Sequence, residues 1–140
     1  MTILVADASV GVKWFVPEVY SDEAAKCRDP GHELHAPALF DVEFASVLWK
    51  KVRRGELKRE EADDILSQLP SLPIRRYSDA PLLVAAFDLA VRTNRTVYDS
   101  LYLALAEQLA GRVVTADERW VNSLAATQWA SRLVFVGKIA

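Results

Sequence analysis

Apolar positions along this chain follow two rhythms. Ile3 to Ala6 is an unbroken apolar run with β-branched side chains. A strand buried on both faces reads this way, as a central strand of a parallel sheet does. Glu33 to Ala36, Ile74 to Tyr77, the segment RVVTA (112–116) and Leu133 to Val136 are further candidate strands. The other rhythm is helical. ASVGVKWF after Asp7 predicts a short helix closed before Pro17, and Ser21 to Arg28 a second, with Ser21 as N-cap and Asp22 and Glu23 in its first turn. Pro37 starts a long helix over about Ala38 to Arg54, with Gly55 as its C-cap. The dominant apolar side of that helix holds Val42, Phe44, Ala45, Leu48, Trp49 and Val52. Leu57 to Leu69 is amphipathic with a charged outer face. Ser78-Asp79-Ala80-Pro81 caps a helix to about Thr93, with Leu82, Leu83, Ala86, Phe87, Leu89 and Ala90 as core positions.

The segment from Thr96 to Leu109 is apolar around most of its circumference, which predicts a buried helix, followed by a glycine turn. On a helical wheel Asp99 falls beside Leu103, Ala106 and Ala110, while Ser100 and Leu101 lie outside that arc. Asp117 opens a last helix, DERWVNSLAATQ. Trp14, Trp120 and Trp129 read as core. Strands alternating with helices predict an α/β sandwich with a mainly parallel sheet of about five strands. The length of 140 residues fits one domain, 1–140.

Composition narrows the partners. A net charge of −2 leaves no global attraction to nucleic acid, so any such surface is local. Lys50, Lys51, Arg53, Arg54, Lys58 and Arg59 form the densest basic patch, whose ordinary role would be a solvated helix pair. The single Cys27 forbids an internal disulfide and fits a reducing cytoplasm. MTILVADAS lacks the basic and apolar regions of a signal peptide. No apolar run approaches the roughly 20 residues of a membrane span.

The acids change the picture. A carboxylate on the apolar side of a buried helix, such as Asp99, is costly without a partner or a metal. Asp7 sits at the carboxyl end of the first strand and Asp117 just past that of the fourth. Each can serve simply as a helix N-cap. In an open parallel sheet, however, ligands bind beyond the carboxyl ends of the strands, so neighbouring strands would bring the two acids to one crevice. Glu43 lies on the mixed side of the long helix with Ser46, Val47, Lys50 and Arg54, although Asp41 is an equally visible acid. Clustered carboxylates repel, and a divalent cation resolves that repulsion. Oxygen-only ligation points to Mg²⁺ or Mn²⁺. Such an ion can activate water against a phosphodiester. The only histidines, His32 and His35, allow a two-histidine acid–base nuclease but stand beside a turn.

Three blocks together resemble the PIN-domain family, and within it the VapC-type ribonuclease toxins of toxin–antitoxin pairs. They are ILVADASVGVKWF with Asp7, PALFDVEFASVLWK with Glu43, and VYDSLYLALAEQLAGRVVTADERW with Asp99 and Asp117. The resemblance implies an α/β/α sandwich in which these acids ligate one or two Mg²⁺ or Mn²⁺ ions and cleave RNA. It also implies a homodimer and a small cognate antitoxin that blocks the site, often with a basic side chain. Ser9 and Thr115 match positions that often line the site. Ser46 stands where the family commonly has Asn. Lys50, Lys51, Arg53 and Arg54 are the candidates for guiding RNA phosphates.

Three other classes compete with this one. A receiver-type signalling domain would use Asp79 as its acceptor and Lys138 after the last strand, but it needs an adjacent acidic pair where Asp7 precedes Ala8. Haloacid-dehalogenase-like phosphatases need a second Asp where Ser9 stands. A non-catalytic PIN-like binding module would keep the fold without the chemistry.

Overall fold

The computed structural model describes residues 1–140. Five strands form one sheet: β1 (Thr2–Ala6), β2 (His32–Pro37), β3 (Ile74–Tyr77), β4 (Arg112–Thr115) and β5 (Leu133–Phe135). Their order is β3-β2-β1-β4-β5, and every neighbouring pair is parallel. The helices are α1 (Ala8–Gly11), α2 (Ser21–Lys26), α3 (Leu39–Arg53), α4 (Arg59–Gln68), α5 (Leu83–Thr93), α6 (Val97–Leu109) and α7 (Glu118–Ser123). They cover both faces of the sheet, giving the expected α/β/α sandwich. No helix is long and apolar enough to cross a membrane.

The central strand behaves as its apolar run predicts. Leu4, Val5 and Ala6 are fully buried, between β2 on one side and β4 on the other. The order of the strands reverses at β1, since β2 and β3 extend one way and β4 and β5 the other. That reversal is the switch point where parallel sheets open a crevice. α6 packs across β1, β2 and β4 and carries α5 on its outer side. Seven consecutive residues of α6, Ser100 to Ala106, are buried as a result. Ser100 and Leu101 are therefore inside, because α5 covers the flank the wheel leaves open.

Several local expectations shift. Pro37 ends β2 rather than starting a helix, and α3 begins at Leu39. The first backbone N–H of α3, on Leu39, donates to Asp79 Oδ1 at 3.1 Å. Asp79 thus caps a helix 40 residues away, and its own helix, α5, starts only at Leu83 after a 3₁₀ turn. Ser21 is not the N-cap of α2; Tyr20 holds that place with φ 66°, and Ser21 Oγ accepts from Glu18 N–H. The core face of α3 is Phe40, Phe44 and Leu48, whereas Val42 and Trp49 face solvent. Likewise α5 buries Ala86 and Leu89 but exposes Leu83 and Phe87. Trp120 and Trp129 are in the core, and Trp14 packs at its margin. α7 and β5 are shorter than the segments predicted for them.

Both long helices flanking the crevice end in left-handed turns. After α3, Gly55 takes φ 74°, with Gly55 N–H on Val52 C=O and Glu56 N–H on Lys51 C=O. This is a Schellman closure with glycine in the position that suits it. After α6 the left-handed residue is Ala110, φ 55°, and Gly111 N–H reaches Ala106 C=O. Gly111 instead lets the chain pass close to β1. A Cβ there would lie 2.6 Å from Ile3 Cγ2 and 2.8 Å from the Ile3 carbonyl oxygen.

Candidate active site

Asp7, Ser9, Glu43, Ser46, Lys50, Asp99 and Asp117 line one open cleft of about 380 Å³ at the carboxyl end of the sheet. Four elements meet there. Parallel pairing of β1 with β4 sets Ala6 beside Val114, so Asp7 and Thr115 follow side by side. The second turn of α3 delivers Glu43 and the first turn of α6 delivers Asp99.

Asp7 has the backbone of a helix N-cap, yet its side chain makes no capping bond. Instead Asp7 Oδ2 accepts from Ser9 Oγ at 2.9 Å and from Thr115 Oγ1 at 2.8 Å. Thr115 Oγ1 accepts in turn from Asp117 N–H at 3.0 Å, and Ser9 Oγ from Ala116 N–H at 3.2 Å. The two hydroxyls therefore orient Asp7 and tie the loop after β4 to β1. Burial raises the Asp7 pKa above its usual value; the Thr115 and Ser9 hydrogen bonds oppose this and the charge of Asp99 adds to it.

Glu43 accepts from the Tyr102 hydroxyl at 2.7 Å. Burial again raises its pKa, with the Tyr102 bond opposing and the charges of Asp7 and Asp99 adding. Tyr102 itself is 1 % exposed, and burial, reinforced by Asp7 and Glu43, pushes its phenol far above the ordinary range. It stays a neutral donor. Asp41, the rival acid on α3, is held by Arg76 at 3.0 Å and lies outside the cleft lining.

Asp99 and Asp117 share a cation. Arg95 Nη2 donates to Asp99 Oδ2 at 2.9 Å and to Asp117 Oδ2 at 3.0 Å. Burial raises the Asp99 pKa even so, with the Arg95 charge the main opposing influence. Asp117 is a true N-cap as well, its Oδ1 accepting from Trp120 N–H at 3.2 Å. Thr96 caps α6 by accepting from Asp99 N–H.

The basic residues divide. Lys50 lines the cleft. Lys51 is engaged by Glu18 at 2.6 Å, and the Arg53 guanidinium lies 4.8 Å from the Trp49 ring centre. Arg54 is exposed at the end of α3. His32 and His35 line a different cavity with Arg28 and Arg75, and His35 Nδ1 meets the Tyr77 hydroxyl at 2.9 Å. The acid cleft contains no histidine, which removes the two-histidine arrangement from this site.

Two participants escape a reading of the sequence. Tyr102 is visible there only as part of an apolar arc, and its partner is 59 residues away. Arg95 precedes the cap of α6; its spacing of four to Asp99 is a usable signal, but the 22-residue link to Asp117 is not.

The donor set suits a hard divalent cation: carboxylate oxygens, no sulfur and no imidazole. Burial is the main cause that raises the carboxyl pKa values of Asp7, Glu43 and Asp99, and the charges of neighbouring acids add to it. In this arrangement no three of the acids gather round a single point. They are spread along the wall, with Asp99 and Asp117 drawn to Arg95. Chemically, four carboxylates in one cleft give it an attraction for cations, and Lys50 gives it one basic group.

Comparison with known proteins gives one consistent result. The model of the PIN domain family matches residues 4–124. Ribonuclease VapC3 of Pyrobaculum aerophilum is 39% identical over 118 residues, covering 83% of this chain and 90% of that one. Ribonuclease VapC12 of Mycobacterium tuberculosis is 34% identical over 121 residues, covering 86% and 92%. The crystal structure of PAE2754 from P. aerophilum superposes with a TM-score of 0.70 at 25% identity, covering 97% of this chain and 85% of that one. A toxin–antitoxin complex from Klebsiella pneumoniae shares the fold at a TM-score of 0.63 and 12% identity, covering 95% and 97%.

Proposed function

The chain belongs to the PIN-domain family, and on that premise we propose that it is a metal-dependent endoribonuclease acting as the toxin of a toxin–antitoxin pair. The observation that carries the proposal is the convergence of Asp7, Glu43, Asp99 and Asp117 on one cleft, from elements spread over 110 residues of sequence. The similarity to proteins named VapC ribonucleases supports RNA as the substrate.

In this reading the four acids would hold Mg²⁺ or Mn²⁺, which would supply activation of water and neutralisation of charge on the phosphodiester. The chain's own residues do the rest. Ser9 and Thr115 fix the rotamer of Asp7, and Tyr102 fixes Glu43. Lys50 offers a phosphate contact at the cleft, with Arg54 beyond it. Ser46 lines the wall between Glu43 and Lys50.

A receiver domain is not favoured. Its sheet would run 2-1-3-4-5, whereas this one runs 3-2-1-4-5. Asp79, its candidate acceptor, is spent on capping α3.

A small antitoxin would block the acidic cleft with a basic side chain, and the apolar face of α5 would pair with a second copy; both accord with a cytoplasmic location. The deciding experiment is cleavage of RNA with Mg²⁺ or Mn²⁺ by wild type, Asp7→Asn and Asp99→Asn. Both variants should fold and lose at least about a hundredfold in rate. Wild-type activity in either, or undiminished cleavage in EDTA, would sink the assignment.

A further inference from the structure

Arg95 stands out among the charged groups of the molecule because a single nitrogen, Nη2, serves two of the four clustered acids. Its placement is fixed from both sides. Asn94 closes α5 in the left-handed conformation, φ 57°, and Thr96 opens α6 as a side-chain cap. Between those two stops Arg95 has little freedom of direction. Its guanidinium lies 5.8 Å from the ring centre of Trp120, its side chain is 23% exposed, and its Nε is buried without a partner. Such an arginine is held in place against two acids of the wall; it is not a surface side chain that happens to reach an acid.

The charges of the cleft give this a consequence. Asp7, Glu43, Asp99 and Asp117 bring four negative charges when ionised, and Arg95 and Lys50 bring two positive ones. Two net negative charges remain, the number one divalent cation neutralises. The guanidinium also occupies the gap between Asp99 and Asp117, which leaves Asp7 and Glu43 as the acids without an ion pair. We propose that Arg95 is a positioning residue that limits the cleft to one divalent ion, by filling the Asp99–Asp117 edge where a second ion would sit. This inference rests on the metal-dependent reading above and adds the stoichiometry that reading leaves open. Arg95 acts through the acids it holds. Its fixed charge weakens cation binding nearby, by about tenfold even at the dielectric of water for charges about 6 Å apart.

The test is Mn²⁺ titration by calorimetry on wild type, Arg95→Met and Arg95→Lys, with circular dichroism as the check on folding. Wild type should bind one Mn²⁺ per chain. Arg95→Met, which keeps the bulk and removes the charge, should bind a second ion or bind the first at least about tenfold more tightly. Arg95→Lys should return to one ion with an affinity close to wild type. Two ions in wild type, or identical stoichiometry and affinity in Arg95→Met, overturn the proposal while leaving the metal-dependent reading intact. Absence of Mn²⁺ binding in wild type overturns both. If Arg95→Met fails to fold, electron paramagnetic resonance of wild type at saturating Mn²⁺ decides: isolated ions support the proposal, and a spin-coupled pair refutes it.

Discussion

Asp7 accepts two hydroxyl hydrogen bonds on one oxygen and forms no ion pair. With Glu43 and Asp99 it belongs to a set of carboxyls whose pKa values burial raises. In the folded protein these groups bind protons more readily than in the unfolded chain. Their contribution to stability is complete below the unfolded carboxyl pKa, near about 4, and is lost as pH rises through the raised folded values. Metal-free protein should therefore lose stability from about pH 4 toward neutrality. Asp7→Asn keeps an oxygen for Ser9 and Thr115 while removing the charge. In EDTA at pH 7 it should raise Tm by a few degrees, on the order of 1 kcal/mol, and flatten the pH dependence. Thermal melts across that range decide it; a slope equal to wild type would show that Asp7 is not a strained carboxylate.

At the scale of elements, the turn after α6 assigns its two small residues in an unexpected order. Ala110 takes the left-handed conformation and Gly111 the close approach to Ile3. Left-handed backbone costs an L-residue roughly 1–2 kcal/mol, which glycine avoids. Ala110→Gly should accordingly stabilise the protein by about 1 kcal/mol in urea unfolding. Gly111→Ala should destabilise it by more, since its Cβ would meet backbone at 2.8 Å. Neutrality of both substitutions would contradict this division of roles. Legibility in the sequence differs from element to element. The apolar runs of β1 and β4 and the largely apolar α6 announce themselves, because burial on both faces leaves few polar positions. The outward turn of Val42 and Trp49 on α3, and of Leu83 and Phe87 on α5, does not. Each of these helices carries more apolar surface than one face needs, and periodicity alone does not say which stripe meets the sheet. Asp79 reads as a local cap because local capping is common, whereas its carboxylate reaches the neighbouring helix across the sheet edge. At the site, Asp7, Asp99 and Asp117 are legible as acids at strand and helix ends, and Glu43 mainly through the family resemblance. Tyr102 is not, nor is the link of Arg95 to Asp117, since these partners come together only through the strand order.

On the scale of the whole molecule, the exposed apolar residues are concentrated. Leu83, Val84, Phe87 and Val91 form one stripe along α5, with Phe87 64% exposed and Val84 86%. Tyr98, at the start of α6, adds to the apolar surface after the α5–α6 loop. A contiguous stripe of this kind is rarely left to water. The pairing of two copies proposed above should bury it, so Phe87→Glu should convert a dimer to a monomer in sedimentation or light scattering. The variant should keep the folded circular dichroism of wild type, because Phe87 touches solvent and not the core. A dimer of unchanged affinity would place the interface elsewhere.

Thr115 is fully buried, and its one hydroxyl touches both strand ends that carry acids: it donates to Asp7 and accepts from the backbone of Asp117. The spacing of those acids is thus gauged by two bond lengths instead of by the loops that follow β1 and β4. Sequence drift in either loop leaves the gauge untouched. A valine at the same position would fill the same volume and lose it, leaving a well-packed protein whose two acids no longer share a common reference.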